Sequence, residues 1–121
     1  MILYVQSFKH IDIWRSTLSK RTMNMLSECI PTFTMLQDEN RQQILMLLFD
    51  NNKMTVTEIT NCLLLSRPAV SHHLKLLLDA ELVQVTKNGK ERIYSLCLEK
   101  AVKQLRDLLS SIENDMNITP E

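Results

Sequence analysis

The sequence predicts a mainly α-helical fold that contains one β-hairpin. Among its 121 residues there are only one glycine and three prolines, which argues against a fold built from many strands and tight turns. The single glycine forms the dipeptide Asn88-Gly89 between two short alternating segments, and this dipeptide is typical of a two-residue hairpin turn. Apolar residues at helical spacing dominate the remainder, and a chain of this length is expected to form one domain.

Charge is distributed unevenly along the chain. The formal net charge is zero, with 14 basic and 14 acidic residues, so there is no overall basic excess of the kind that favours nucleic acid. Basic residues nevertheless outnumber acidic ones between residues 66 and 95, and a polyanion is expected to bind there. The three cysteines are widely spaced, which predicts free thiols in a reducing, cytoplasmic environment. We expect no membrane partner, since no apolar run is long enough to cross a bilayer.

The first helices are predicted from apolar periodicity. Residues 1–25 are expected to form an N-terminal extension or helix. Either translation begins at Met23 or Met25, so that the residues before it are not part of the protein, or these residues form a helix that adds to a dimer interface. Pro31 is expected to open a helix that continues to Leu36. A stronger helix follows from about Glu39 to Phe49, with a predicted buried stripe of Ile44, Leu45, Leu47 and Leu48.

Two capped helices follow. Thr55 and Glu58 have the spacing of a capping box and predict a helix from Val56 to Leu63. Ser66 is a good N-cap for a second helix to about Asp79, in which Pro68 is tolerated in the first turn. Its apolar face is formed by Val70, Leu74 and Leu77, and its donor-rich face by Arg67, Ser71, His72 and Lys75. This arrangement is a helix-turn-helix, and the hairpin after it is a wing, which predicts a winged helix-turn-helix over residues 26–116.

The last helix is predicted from Leu98 to Met116, before a frayed tail over residues 117–121. Its apolar stripe is too wide to be buried by the domain alone. We expect half of the stripe to pack against the domain and the other half against a second copy of the chain. The stripe contains Ala101, Val102, Leu105, Leu108, Leu109 and Ile112. We therefore expect a homodimer formed through the N- and C-terminal helices.

Three motifs in order resemble those of ArsR-type (arsenic-repressor-like) regulators over residues 26–112. Residues 36–45 fit the pattern L-x-D-x-x-R-x-x-I-L, residues 71–74 read Ser-His-His-Leu, and residues 90–96 are similar to the second wing strand. The resemblance implies a homodimeric repressor of a pseudo-palindromic operator in double-stranded DNA. It places Arg67, Pro68, Ser71 and His72 nearest the bases and the basic residues of the wing on the backbone.

The chain departs from that family pattern in several places. Leu64 and Glu81 stand where the family often has glycine, which predicts strained or differently built turns. Cys62 stands alone instead of in a metal-binding cysteine cluster and is expected to be a small core residue. No histidine follows His73, which we expect to be packed in the core. Neither a metal site nor a cofactor is therefore expected.

The expected function is sequence-specific DNA binding, with Arg67 donating to guanine. One alternative is a protein-interaction module without DNA binding, which would suit the zero net charge. Another is a thiol-responsive repressor, with Cys29 and Cys97 as its redox pair, since that placement resembles family members that sense oxidants. An enzyme is not expected, because no phosphate loop or catalytic group appears. The predicted DNA contacts are Thr55, Thr57, Ser66, Arg67, Pro68, Ser71, His72, Lys75, Lys87, Lys90 and Arg92.

Overall fold

The protein was analysed as a computed structural model, which describes residues 18–117. These residues form five helices and three strands and confirm the mainly helical fold with a hairpin. In chain order the elements are α1 (Lys20–Leu36), α2 (Glu39–Asn51), β1 (Lys53–Thr55), α3 (Val56–Asn61), α4 (Arg67–Asp79), β2 (Val83–Asn88), β3 (Glu91–Leu96) and α5 (Glu99–Met116). Most of the predicted N-terminal extension and nearly all of the predicted frayed tail lie outside the described residues.

The chain divides into two compact units. One comprises residues 30–102 and contains the helix-turn-helix and the hairpin. The other comprises residues 18–29 together with residues 103–117. The domain boundaries expected at residues 25 and 116 stay a prediction. No helix within residues 18–117 combines the length and the hydrophobicity that crossing a membrane requires.

The core of the unit formed by residues 30–102 is centred on α4. Val70, Leu74 and Leu77 are completely buried, which confirms the predicted apolar face of this helix. From α2, Ile44 and Leu48 join this core, whereas the predicted Leu45 and Leu47 are only partly buried against it. Since fully burying such side chains contributes about 1.5–3 kcal/mol each, this core fixes the orientation of α4.

The sheet contains one strand that the sequence did not predict. Its order is β1-β3-β2, with both strand pairs antiparallel. Strand β1 is only three residues long, and the sequence predicted no strand between α2 and the N-cap Thr55. It forms because it pairs with β3, where Met54 lies opposite Tyr94 and both side chains are buried. A three-residue segment carries too little alternation to predict such a pairing.

The hairpin turn lies one residue later than predicted. Asn88 pairs with Glu91, so the central residues of the turn are Gly89 and Lys90 rather than Asn88 and Gly89. In the hairpin only Gly89 has a positive φ, at 66°, which is the pattern of a type II′ turn. The predicted Asn88-Gly89 turn, which would require a positive φ at both residues, was therefore wrong, because the ladder continues through Asn88.

Pro31 lies inside α1 and does not open it. The helix begins at Lys20 and continues to Leu36. A proline in a helix interior removes one backbone hydrogen bond and clashes with the preceding turn. Here Cys29 and Thr32 are buried on either side of Pro31. We infer that the burial of these two neighbours outweighs the cost of a proline inside the helix. Helix propensity alone does not include this burial.

The two connections in which glycine was expected, at Glu81 and Leu64, differ in backbone geometry. Glu81 has a φ of 61° between α4 and β2, which confirms strain at a position where glycine was expected to fit better. Its carboxylate accepts from Lys100 at 2.7 Å on the surface. Leu64 is not among the described residues with a positive φ, and its side chain is fully exposed. The turn before α4 is therefore differently built, without left-handed backbone.

Candidate nucleic-acid interface

A concave groove of about 620 Å³ lies between the helix-turn-helix and strand β3. Three separate segments supply its walls: the start of α3, the exposed face of α4 and the start of β3. Most of its polar lining had been predicted as a DNA contact. The predicted residues that line it are Thr55, Thr57, Arg67, Ser71, Lys75, Lys90 and Arg92.

The remaining predicted contacts lie on the surface outside this lining. Ser66, Pro68 and His72 are exposed at the start of α4, and Lys87 is exposed on β2. The groove also contains two acidic side chains that the sequence did not single out. Asp79 pairs with Lys75 at 3.4 Å, and Glu91 begins β3. The groove thus carries both signs of charge, with the basic residues in excess.

The helices that border the groove have well-defined starts. At α3 the Thr55 hydroxyl accepts from the Glu58 amide at 3.1 Å, and the Glu58 carboxylate accepts from the Thr55 amide at 2.8 Å. This confirms the predicted capping box. At α4 the Ser66 hydroxyl accepts from the Ala69 amide at 3.3 Å, and Pro68 occupies the first turn. Each N-cap satisfies an amide that would otherwise lack an intrahelical partner.

One hydrogen bond connects the starts of α3 and α4. Nη1 of Arg67 donates to Oγ1 of Thr57 at 2.6 Å, and both side chains are exposed to solvent in the groove. Ser71 lies one turn further along α4, on the same side as Arg67. The arrangement concentrates hydrogen-bond donors at the beginning of α4.

The hairpin places like charges opposite each other. Lys87 on β2 is the direct cross-strand neighbour of Arg92 on β3. Neither takes part in an ion pair within residues 18–117. Directly opposed like charges destabilise a sheet, so this pair costs stability in the free protein. Lys90 adds a third positive charge in the adjacent turn.

Arg41 contacts α4 through His73. The sequence indicated no role for this arginine beyond its place in the family motif. Its Nε donates to the Met35 carbonyl at 3.0 Å, and its Nη1 lies 3.4 Å from Nδ1 of His73 on α4. Asp38 caps α2 by accepting from the Arg41 amide at 3.1 Å, and that bond is the main cause of the lowered pKa of Asp38. The spacing Asp-x-x-Arg was the available signal, since it places an arginine one turn after an N-cap.

The two adjacent histidines of α4 have different environments. His73 is half-buried and contacts Arg41, which agrees with the predicted packed role, although it is not fully buried. His72 is exposed. Since neighbouring residues on a helix point about 100° apart, only His72 is available to a ligand at the surface.

The three cysteines lie in different environments: Cys29 is buried, Cys62 is exposed and Cys97 is half-buried. Cys62 is exposed, so the expectation of a core residue was wrong. The reason is that α3 ends at Asn61, earlier than predicted, which leaves Cys62 as the C-cap outside the last turn, while Ile59 fills the core. Cys29 is buried, and burial, followed by the charge of Glu28, raises the pKa of its thiol. A redox-sensing thiol needs exposure and a lowered pKa, and Cys29 has neither.

A polar cluster in the unit formed by the chain ends links α1 to α5. Asp115 accepts from the Ser19 amide at 2.7 Å and from the Thr22 hydroxyl at 2.6 Å, and Thr22 also bonds to the buried Ser111. These hydrogen bonds lower the pKa of Asp115, and the bond from the Ser19 amide makes the largest contribution. The stabilisation is therefore present at neutral pH and is lost as the pH falls through the pKa of the folded state.

Comparison with known proteins identifies the same segment. A family model described as "Bacterial regulatory protein, arsR family" matches residues 38–85, from the N-cap of α2 to strand β2. The transcriptional repressor SdpR of Bacillus subtilis (strain 168) is 30% identical over 87 residues, which cover 69% of this chain and 96% of that protein.

Solved structures show the same fold. An ArsR-like transcriptional regulator from Rhodococcus sp. RHA1 is 28% identical, with a TM-score of 0.65, and the match covers 73% of this chain and 80% of that one. HlyU from Vibrio cholerae is 27% identical, with a TM-score of 0.60, over 77% of this chain and 96% of that one. The matched family and the relatives named as regulators are regulatory proteins and not enzymes.

Proposed function

The chain belongs to the ArsR family of DNA-binding transcriptional regulators, and from that premise we propose that it is a homodimeric, sequence-specific repressor. In this proposal α4 lies in the major groove of a pseudo-palindromic operator, and the hairpin β2–β3 contacts the phosphate backbone. SdpR is a transcriptional repressor, and its similarity to this chain supports the assignment of repression rather than activation.

The observation that carries the proposal is the convergence of polar side chains in one groove. Thr57, Arg67 and Lys90 come from three separate segments of the sequence, yet all three line the same concave surface. A surface that follows the start of a helix and an adjacent wing suits a duplex, in which base edges form the floor of the major groove and phosphates line its rims. Polar side chains whose only role is contact with water have no reason to converge in one groove.

The proposed roles follow from side-chain chemistry. Residues near the beginning of α4 read base edges, since the first turns of a recognition helix approach the bases; these are Ser66, Arg67, Pro68, Ser71 and His72. Hydroxyl, ammonium and guanidinium groups at the rim donate to phosphates and set the register; these belong to Thr55, Thr57, Lys75, Lys87, Lys90 and Arg92.

The charge arrangement of the hairpin supports phosphate binding. The cross-strand pair of Lys87 and Arg92 lowers the stability of the free protein, and phosphates would neutralise both charges. A sheet optimised only for stability would have a neutral or opposite charge at one of these positions. The pair is therefore what we expect of a surface adapted to a polyanion.

Replacing Lys87 with threonine is expected to stabilise the protein and to weaken DNA binding. The substitution removes the repulsion from Arg92 and introduces a residue that favours strands, which should raise the free energy of unfolding by about 0.5 kcal/mol. It should also lower the slope of log affinity against log salt by about 1, since one phosphate contact is lost. Urea unfolding and fluorescence-anisotropy titration measure the two effects.

The matched control is Lys53→Thr. Lys53 is an exposed strand lysine that lies opposite Ser95 and not opposite a cation, so no repulsion is relieved there. If both variants change stability and DNA affinity equally, the assignment of Lys87 to the phosphate backbone is wrong.

Exposed apolar side chains on α1 and α5 support the proposed dimer. Along α1 they recur at spacings of three and four residues: Met23, Leu26, Ile30 and Phe33. Along α5 they recur every seven residues: Val102, Leu109 and Met116, with Leu109 61% exposed. Such spacings are typical of helices that pack against other helices. We propose that a second copy of the chain covers both sets, as a symmetric dimer requires.

Replacing Leu109 with glutamate is expected to convert the dimer to a monomer. A charge in an apolar interface would lose its hydration without gaining a partner, at a cost of several kcal/mol. Sedimentation velocity at several protein concentrations measures the mass. The control is Ser110→Glu, which adds the same charge at the neighbouring exposed position. A Leu109→Glu variant that remains dimeric, or a monomeric wild type, would contradict the proposed interface.

The basic test of the proposal is titration with random duplex DNA at low and moderate salt. Binding that weakens steeply with salt is expected of a protein that contacts several phosphates. A protein-interaction module without DNA binding would give no binding even at low salt. Selection of a preferred duplex from a random library would then supply the operator sequence for the measurements below.

A further inference from the structure

We propose that Thr57 is a positioning residue that fixes the guanidinium of Arg67 so that one edge of it is held ready for a guanine. The inference rests on the proposed function, because it assumes that Arg67 reads a base. It assigns the Thr57 hydroxyl to orientation of Arg67, in place of the phosphate contact given to it above.

The geometry of the two side chains carries the first step. Nη1 of Arg67 donates to Oγ1 of Thr57 at 2.6 Å, across ten residues of sequence. Both ends of this bond are anchored in capped first turns. Thr57 lies within the capping box formed by Thr55 and Glu58, and Arg67 directly follows the N-cap Ser66. The bond therefore joins two rigid points, and no flexible loop lies at either end.

The chemistry of the guanidinium carries the second step. Arginine has five N–H donors in one plane, and a bond from Nη1 to Thr57 uses one of them. The edge formed by Nε and Nη2 keeps two parallel N–H groups free. Two parallel donors are what the O6 and N7 acceptors of guanine require for a bidentate contact. The hydroxyl of Thr57 thus selects which edge of Arg67 faces the DNA.

The energetic consequence is preorganisation. Arg67 is exposed, and a free arginine side chain of this length would lose about 2 kcal/mol of rotamer entropy on being fixed by DNA. With Thr57 in place, part of that ordering exists before binding. Loss of the Thr57 hydroxyl should therefore reduce discrimination at the guanine, while binding to DNA without the guanine contact should change little.

The test measures discrimination directly. The duplex selected by the wild-type protein is compared with the same duplex in which each guanine in turn is replaced by 7-deazaguanine, which lacks the N7 acceptor. We expect the wild type to lose about tenfold in affinity at one guanine per half-site. Thr57→Val, which keeps the shape and removes the acceptor, is expected to lose only about two- to threefold there, and Thr57→Ser is expected to restore the wild-type response.

The matched control is Thr60→Val on the same helix. The Thr60 hydroxyl bonds to the Val56 carbonyl within α3 and does not contact Arg67, so its removal should leave discrimination at the wild-type value. Thermal unfolding of every variant checks that each is folded at the assay temperature. The ratio of affinities for two duplexes is insensitive to a change in the folded fraction.

The outcomes separate this inference from the proposed function. If Arg67→Ala responds to 7-deazaguanine as the wild type does, the assignment of Arg67 to a guanine fails, and the inference fails with it. If Arg67→Ala abolishes the response and Thr57→Val does not change it, the role of Thr57 alone is overturned. If Thr57→Val weakens the selected and random duplexes by the same factor, Thr57 contacts phosphate and does not position Arg67.

Discussion

Replacing Arg67 and Lys90 with alanine is expected to abolish recognition of the operator while leaving the fold intact. Both side chains are exposed and line the groove, so neither supports the core. Arg67→Ala alone should cost about 1–3 kcal/mol on the selected duplex and little on random DNA, because a base contact carries sequence information. Lys90→Ala alone should weaken binding to both duplexes alike, because a phosphate contact carries no sequence information. It should also lower the slope of log affinity against log salt by about 1.

Anisotropy titrations of selected and random duplexes at three or more salt concentrations separate these effects. The matched control is Arg21→Ala, which removes an exposed arginine from α1, outside the groove. DNA binding at this surface would be contradicted if the wild type did not bind DNA at low salt. It would also be contradicted if the double variant kept the full affinity of the wild type. Equal losses for Arg21→Ala would show that only total charge matters.

Replacing Leu74 with alanine is expected to cost about 3–4 kcal/mol of the free energy of unfolding. Leu74 is completely buried in the core beneath α4, and deleting its three outer carbons removes apolar contacts and leaves a cavity. Small domains are stable by only about 5–15 kcal/mol, so this is a large fraction of the total. Urea unfolding followed by circular dichroism gives the value, with protein concentration held constant because the proposed dimerisation would make stability depend on concentration.

Leu64→Ala is the control for that measurement. Leu64 is fully exposed in the turn before α4, so the same chemical change there should alter stability by less than about 0.5 kcal/mol. Should the two variants unfold at the same urea concentration, the packing of α4 against the core described above would be wrong.

The starts of α3 and α4 and the burial of α4 were readable from the sequence because each depends on residues within one or two turns. Ser66, three residues before the amide of Ala69, needs no distant partner to act as an N-cap. The spacing of Val70, Leu74 and Leu77 defines a face whatever lies against it. The hairpin was predicted for the same reason, since Gly89 permits a turn that few other residues allow.

Helix ends and interruptions were predicted less well. The sequence suggested a helix start at Pro31, whereas α1 continues through it. It also extended α3 past Asn61 and therefore placed Cys62 in the core. In both cases the local signal was real, but the outcome depends on which neighbouring side chains become buried. Strand β1 is the clearest example, since Met54 is extended only because β3 lies beside it.

The sequence by itself determined the class of this protein: a mainly helical winged fold with a capped donor-rich helix, an ordered set of family motifs and a hairpin that turns at Gly89. These features depend on backbone propensity and on spacing along the chain, which are local properties. Only the tertiary structure decided which donors share one groove, that Thr57 bonds to Arg67, that Arg41 supports His73 and that Lys87 opposes Arg92. Those relations join residues far apart in sequence, and they exist only after burial of the core has fixed where each segment lies.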